Sequence, residues 1–385
     1  MIELAFKGGK KYFGWMTALL FVAATGFVFY LFQIQLGLGI TGMTRDVSWG
    51  FYIANFTYLV GVAAGGVMVV LPYYLHNYKA FGKVTILGEF LAIAAVVMCL
   101  LFIVVDLGQP SRLFNVPFYP TPNSVLFWDM IVLNGYLFLN LIIGWNVLEA
   151  ERNGVHYQGW LKPLIYLSIP WAVSIHTVTA FLYCGLPGRG FWLTAILAPR
   201  FLSSAFAAGP ALLILLCLFI RRVTNFDPGR EQIQSLAKIV AYAISINVFF
   251  LLCEVFVAFY SNIPEHMDHL KYLFVGLHGH GIYVPWMWTS MCLMALGIIL
   301  LVNPITRKNE CVLSVACLAI FIGTWIDKGL GMISGGFVPN PLHHVNEYVP
   351  TVKEIIITLG VYAIGAMVLS ALYKIAVSVK EEVKS

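Results

Sequence analysis

Runs of about twenty apolar residues, ten in all, alternate along this chain with short intervals rich in charge, glycine or proline. They cover roughly 14–37, 50–75, 85–106, 127–148, 164–184, 203–221, 237–260, 282–302, 312–333 and 354–376. A helix of that length crosses the hydrocarbon of a bilayer, whereas barrel strands are about ten residues long and alternate in polarity. Since only helices or closed barrels satisfy their backbone in lipid, the pattern predicts an all-α integral membrane protein with ten transmembrane helices. An even number of spans puts both termini on one side. Lys7, Lys10 and Lys11 ahead of the first run resemble the start of a signal peptide. The run Trp15–Leu36 is too long for that, and no A-x-A site follows it, so it reads as a retained first helix.

Composition agrees with the pattern. Of 385 residues, 60% are hydrophobic and 11% charged, against about 25% charged in a soluble domain. The net charge of +5 becomes informative once it is mapped onto loops. Sixteen of the 23 Lys and Arg residues, Lys79 and Lys384 among them, fall on the side of the termini. Six fall on the other side (Arg45, Arg112, Arg189, Arg200, Lys271 and Lys353), and Lys328 lies within a helix. The positive-inside rule then makes both termini cytoplasmic in an inner membrane. No basic run approaches five residues, which leaves no nucleic-acid reading. The seven cysteines form no C-x-x-C pair, and five lie in apolar runs where thiols act as small hydrophobes, so no iron–sulfur cluster is expected in this chain. The intervals at 107–126, 185–202, 261–281 and 334–353 are the long ones, and they mark the external face as the candidate docking surface.

"VAAGGVMVVL" (Val62–Leu71) is echoed by "FAAGPALLIL" (Phe206–Leu215) 144 residues later, on helices two and six, which run the same way. Small residues let helices approach closely. The echo predicts two parallel-repeat four-helix bundles, helices 2–5 and 6–9, with helices 1 and 10 flanking them. The chain divides accordingly into 1–48 (first helix), 49–185 (first bundle), 186–334 (second bundle) and 335–385 (external loop, last helix and tail).

Ionisable groups at membrane depth cost about 2.5–3.5 kcal/mol each on insertion scales, so each needs a reason. The candidates are Glu89, Asp106, Asp129, His176, Glu254, Asp327 and Lys328. Trp49, Tyr52, Asn55, Asp106 and Asp129 fall at similar depth near the outer rim of the first bundle, with His176 about two turns deeper. An acid, hydrogen-bond donors and flat apolar walls are what a quinone headgroup requires. The alternatives stay open: Asp106 and Arg112 as an ion pair that only pins a loop, and His176 as a core histidine bonded to a backbone carbonyl. In the second bundle Glu254 and Lys328 read as a pair across helices seven and nine, either structural or proton-transferring. Only His176 among the nine histidines, His76 included, lies deep, which disfavours haem. The loop histidines His278, His280, His343 and His344 are a weak metal signal, and no metal site is assigned.

Several stretches resemble the NrfD-type family, the membrane anchors of polysulfide reductase and related complexes. "WGFYIANFTYLVGVAAGG" (Trp49–Gly66) resembles its quinone-helix motif, "DLGQPSRLF" its acid–Gly–Pro–Arg motif, and "PNSVLFWD" its Ser–Trp–Asp element. "LPGRGFWLTAILAPRFLSSAFAAGPA" and "EYVPTVKE" resemble its second-bundle entry and final signature. The ending "GGFVPNPLHHVNEYVP" is most similar to the branch found in Dsr membrane complexes of sulfur-metabolising prokaryotes. Lys328 stands where the family often has Arg.

The resemblance implies a subunit without redox cofactors of its own that binds menaquinone in its first bundle. It also implies a periplasmic ferredoxin-like iron–sulfur partner on the external loops, and cytochrome and cytoplasmic iron–sulfur subunits in the same complex. Asp106, His176 and Asp129 would manage protons, with Trp49, Tyr52, Asn55, Arg112 and Ser124 about the ring and Arg112 tuning Asp106. Glu254, Asp327 and Lys328 would be proton-path groups. Rival readings are an ion-coupled secondary transporter and a structural anchor without a quinone site.

Overall fold

The computed structural model describes residues 1–75 and 81–383, so that His76, Lys79 and Lys384 lie outside it. Among the described residues ten helices are long and apolar enough to cross a membrane, and no β-strand occurs. They are α1 (Lys10–Leu36), α2 (Phe51–Tyr74), α3 (Gly82–Asp106), α4 (Val125–Arg152), α5 (Leu161–Cys184), α6 (Leu197–Val223), α7 (Arg230–Tyr260), α8 (Val284–Val302), α9 (Glu310–Phe337) and α10 (Val352–Glu382). The ten expected spans are all present. Several helices outrun their apolar stretch, α7 by about two turns, because hydropathy marks lipid thickness and not the end of hydrogen bonding. The interval 261–281 also contains an unexpected helix, Pro264–Phe274, which buries His269, Leu270, Tyr272 and Leu273.

α2 is the central helix, buried on nearly every side, in keeping with its lack of an outward polar face. α3, α6 and the middle of α9 pack along it. α4 lies against α3 and α5, α7 against α6 and α8, and α9 returns to α6. α1 touches lipid over most of its surface and is held by α10, which also packs on α3. Two contacts show why small residues are placed where they are. A Cβ on Gly26 of α1 would lie 2.6 Å from the Gly360 Cα of α10, and one on Gly65 of α2 would lie 2.5 Å from the Gly209 Cα of α6. Gly65 and Gly209 occupy matching places in the two copies of the small-residue motif, so the echoed segments are the surfaces on which α2 and α6 meet.

The start of α1 and the latter part of α10 lie toward one end of the molecule, where Trp15 Nε1 donates to Ser370 Oγ at 3.1 Å. At the other, distal end the "EYVPTVKE" stretch builds a knot. Thr351 caps α10 in a capping box with Glu354. The Glu354 carboxylate also accepts from Gly42 N–H at 2.7 Å and from the Tyr348 hydroxyl at 2.7 Å. That hydroxyl in turn accepts from Phe51 N–H at 2.7 Å. The starts of α2 and α10 and the α1–α2 connection are thereby fixed to one another beside the expected site.

Candidate functional site at the distal rim of helices α2 to α5

Tyr52 in the first turn of α2, Asp106 at the end of α3, Asp129 near the start of α4 and Tyr183 in the last turn of α5 form one neighbourhood, with Tyr183 close to both acids and Tyr52 close to Asp106. The Tyr52 hydroxyl donates to Gln33 Oε1 of α1 at 2.8 Å, and Gln33 Nε2 donates to the Val105 carbonyl at 2.6 Å. Gln33 thus fixes Tyr52 beside the end of α3. Asp106, the next residue, has Oδ1 closed off from solvent and without a hydrogen-bond partner. It lies within electrostatic reach of Tyr52, Tyr183 and Glu354. A buried carboxylate oxygen is normally bonded, so this one is available to a further donor.

Arg112 does not supply that donor. α3 ends at Leu107 in extended backbone, and the following turn Pro110–Arg112 carries the guanidinium into solvent. No ion pair among the described residues joins it to Asp106. The expected pairing is corrected: proximity in sequence is undone by the direction of the turn.

Asp129 is buried, with Oδ1 2.7 Å from Thr179 Oγ1. The same hydroxyl lies 2.7 Å from the Ile175 carbonyl. Having one proton, it serves one acceptor at a time. The Tyr183 hydroxyl meets Thr57 Oγ1 in a short hydrogen bond. Trp49 does not face an open space. Its ring stacks on Trp192 at 5.9 Å and meets Tyr183 and Phe337 edge-on at 5.6 and 5.8 Å, forming an aromatic plug. Ser124 sits at the N-cap of α4, and its side chain bonds none of the helix's free amides.

His176 is fully buried, and neither ring nitrogen has a partner, so the reading as a histidine bonded to a backbone carbonyl fails. It approaches Gly61 of α2 from one side while Lys328 of α9 approaches from another. A Cβ there would be 3.7 Å from His176 Nε2 and 3.2 Å from Lys328 Nζ. Glycine at 61 is what lets these side chains share the space.

The expected Glu254–Lys328 pair is also corrected. Arg200 Nη1 makes a short ion pair with Glu254, and Nη2 donates to Asp327 Oδ1 at 2.7 Å. Lys328 instead donates to the Phe201 carbonyl at 3.3 Å, with Nζ 4.3 Å from the centre of that ring. Arg200, counted from sequence among the external cations, lies inside α6 and is buried. Its planar fork presents separate nitrogens to the two carboxylates in a fixed geometry, where a lysine would have to bridge them through one. The signal was present: Arg200, Ser204, Ala207 and Ala211 follow a helical spacing and are all buried, so the arginine belongs to the close-packed face.

Asn55, expected beside Tyr52, faces elsewhere. Tyr52 turns to α1 and α3, whereas Asn55 turns to α9 and α10 and lines a crevice of about 290 Å³ between those helices and α2. The expected residues therefore separate into a rim group (Tyr52, Asp106, Asp129), a deeper pair (His176, Lys328), an ion triad (Arg200, Glu254, Asp327) and the crevice.

Known proteins resemble this chain over most of its length. It is 26% identical over 400 aligned positions to a putative dimethyl sulfoxide reductase membrane protein of Halobacterium salinarum, covering 93% of this chain and 89% of the relative. Identity is 24% to the Hdr-like menaquinol oxidoreductase integral membrane subunit of Archaeoglobus fulgidus, covering 77% and 72%. It is 21% to the menaquinone reductase integral membrane subunit of Nitratidesulfovibrio vulgaris, covering 95% and 91%. The family described as polysulphide reductase, NrfD, matches residues 39–335, which takes in Tyr52, Asp106, Asp129, His176, Lys328 and the ion triad but not Gln33 or the α10 wall of the crevice. With ten membrane-capable helices and that match across most of its length, the chain belongs to the NrfD family, as a multi-pass membrane protein.

Proposed function

We propose that this chain is the quinone-handling membrane subunit of a respiratory electron-transfer complex, passing electrons between menaquinol and an iron–sulfur protein docked on its distal loops. The observation that carries the reading is Asp106: a carboxyl at the distal rim, with one buried oxygen left without a donor, beside a tyrosine held in place by Gln33. Bound quinone supplies two-electron chemistry coupled to two protons. The chain's own part is to hold its hydroxyls and move those protons. Asp106 accepts or returns a proton at Oδ1. Asp129 serves as the second carrier, its Oδ1 meeting a Thr179 hydroxyl that can turn away to its own helix. His176, two turns deeper and without partners, is the next group inward.

Relatives named as membrane subunits of menaquinol and menaquinone enzymes support the substrate. Sixteen cations on the terminal side support cytoplasmic termini in an inner membrane, which makes the distal face periplasmic. The branch resemblance supports a place in dissimilatory sulfur metabolism, with cytochrome and cytoplasmic iron–sulfur subunits completing the complex. Asp106→Asn keeps the shape of the side chain and removes its proton. Quinol-driven reduction of the co-purified iron–sulfur partner should be lost while the subunits still co-elute. Undiminished electron transfer in that variant excludes Asp106 from the reaction.

A further inference from the structure

Thr358, on the second turn of α10, departs from a habit that the other buried helical threonines keep. Membrane threonines usually donate to the carbonyl one turn back, and Thr25, Thr57, Thr85 and Thr324 all do. Thr358 does not. Its Oγ1 is buried and without any hydrogen-bond partner, and it lines the crevice between α2, α9 and α10.

The other polar groups of that crevice are committed. Asn55 Oδ1 accepts from Trp325 Nε1 at 3.0 Å and from the Tyr362 hydroxyl at 2.7 Å, while Nδ2 donates to the Phe51 carbonyl at 2.7 Å. The Tyr58 hydroxyl donates to the Phe321 carbonyl at 2.6 Å. Asn55 therefore acts as a clamp that sets two aromatic side chains as fixed walls. Ile322 and Leu359 stand exposed at the mouth, so a ligand enters from lipid. At about 290 Å³ the space sits near the lower end of small-molecule sites. It offers flat aromatic walls, one free hydroxyl donor, and no acid, base or cation in its lining. A saturated acyl chain fills such a space without satisfying the hydroxyl; a planar ring bearing a carbonyl does both.

We propose that this crevice is a lipid-side berth for the ring of an isoprenoid quinone. Thr358 donates to a ring carbonyl, and Trp325 and Tyr362 face the ring. The inference rests on the quinone reading above and adds to it a second place, where the ring is bound without proton exchange. The berth lies close to the first: Tyr362 meets Phe102 edge-on at 5.6 Å, and Phe102 is one turn below Asp106 on α3.

The test uses the full-length protein in its complex and an azido-naphthoquinone carrying an isoprenoid chain, with the cross-links mapped by mass spectrometry. Adducts should fall on the crevice segments of α9 or α10. Unlabelled menaquinone should displace them, and an equal excess of phosphatidylglycerol should not. Thr358→Val, which keeps shape and removes the donor, should weaken labelling about three- to tenfold, the worth of one neutral hydrogen bond. Leu359→Trp, which blocks the mouth from an exposed position, should abolish it. Labelling that survives both variants, or that phospholipid displaces as well as quinone does, overturns the berth. Labelling confined to the Asp106 rim overturns the berth and leaves the quinone reading standing. No labelling anywhere overturns both.

Discussion

Replacing Arg200 tests the energetics of the buried ion triad directly. In Arg200→Met the guanidinium disappears and the side chain keeps its length. Glu254 and Asp327 are then left facing each other at membrane depth, with side-chain exposures of 12% and 3%. Removing one member of a buried ion pair costs about 3–5 kcal/mol, because the remaining charge keeps its desolvation penalty and loses its partner. Here two carboxylates are stranded by one substitution. Lys328 is no substitute, being held at the Phe201 carbonyl. Against a total of about 5–15 kcal/mol for a folded protein, the loss should appear as a large drop in the melting temperature of the detergent-solubilised protein, read by intrinsic fluorescence. Arg200→Lys keeps the charge and gives up the two-pronged geometry, so it should fall between. The decisive comparison is the triple variant Arg200→Met, Glu254→Gln, Asp327→Asn. Removing all three charges together strands none, so it should regain at least half of what the single variant lost. Arg200→Met melting like the unaltered protein, or a triple variant less stable than the single, would refute the argument.

Two further predictions follow from contacts away from the triad. Gly65→Ala places a methyl 2.5 Å from the Gly209 Cα, against backbone that cannot turn aside, so α2 and α6 must separate. A loss of about 1–3 kcal/mol is expected for such overpacking, and unchanged thermal stability would show that the helices do not meet there. His269, on the buried face of the Pro264–Phe274 helix with Nδ1 2.9 Å from the Val338 carbonyl, has its pKa lowered by burial. The fold therefore favours its neutral form. Stability should be complete above about pH 6.5 and fall as pH drops below it, by at most about 1.4 kcal/mol per unit until the lowered pKa is passed. In His269→Gln that component of the pH–melting curve should be missing; an unaltered curve would assign it to another group.

Much of the architecture could be read from the sequence, because apolar length is a direct measure of bilayer thickness. All ten spans are legible in this way, and the nearness of Tyr52 to Asp106 follows from counting turns inward from the loops. Direction around a helix was less accessible. Tyr52 and Asn55, three residues apart, were assigned to one ring, yet one bonds Gln33 and the other is shared by Trp325 and Tyr362. Which neighbour each meets depends on how α1, α9 and α10 surround α2, and no local pattern encodes that. Arg200 was misplaced because the preceding "LAP" reads as loop, although its spacing to Ser204 and Ala207 held the answer. The Pro264–Phe274 helix was overlooked for a different reason: it is too polar to register as a span, while Pro264 and Glu265 in its first turn are ordinary start signals.

Within α9 the stretch Ile326–Gly331 is wound as a π-helix, which adds a residue relative to a regular turn. The phase of the distal segment Met332–Phe337 is therefore set independently of the segment before it. That phase matters at Gly336, where a Cβ would lie 1.9 Å from the Trp192 ring. Six π-wound residues turn through about the angle of five α-helical ones. Rewinding all six as regular helix would therefore swing everything beyond by about 100° and take the Gly335–Gly336 notch off the indole, whereas deleting one residue as the winding becomes regular would leave the notch in place. Length and winding in this stretch are thus coupled: a one-residue gap keeps the notch on the indole only where the π-turn is lost with it.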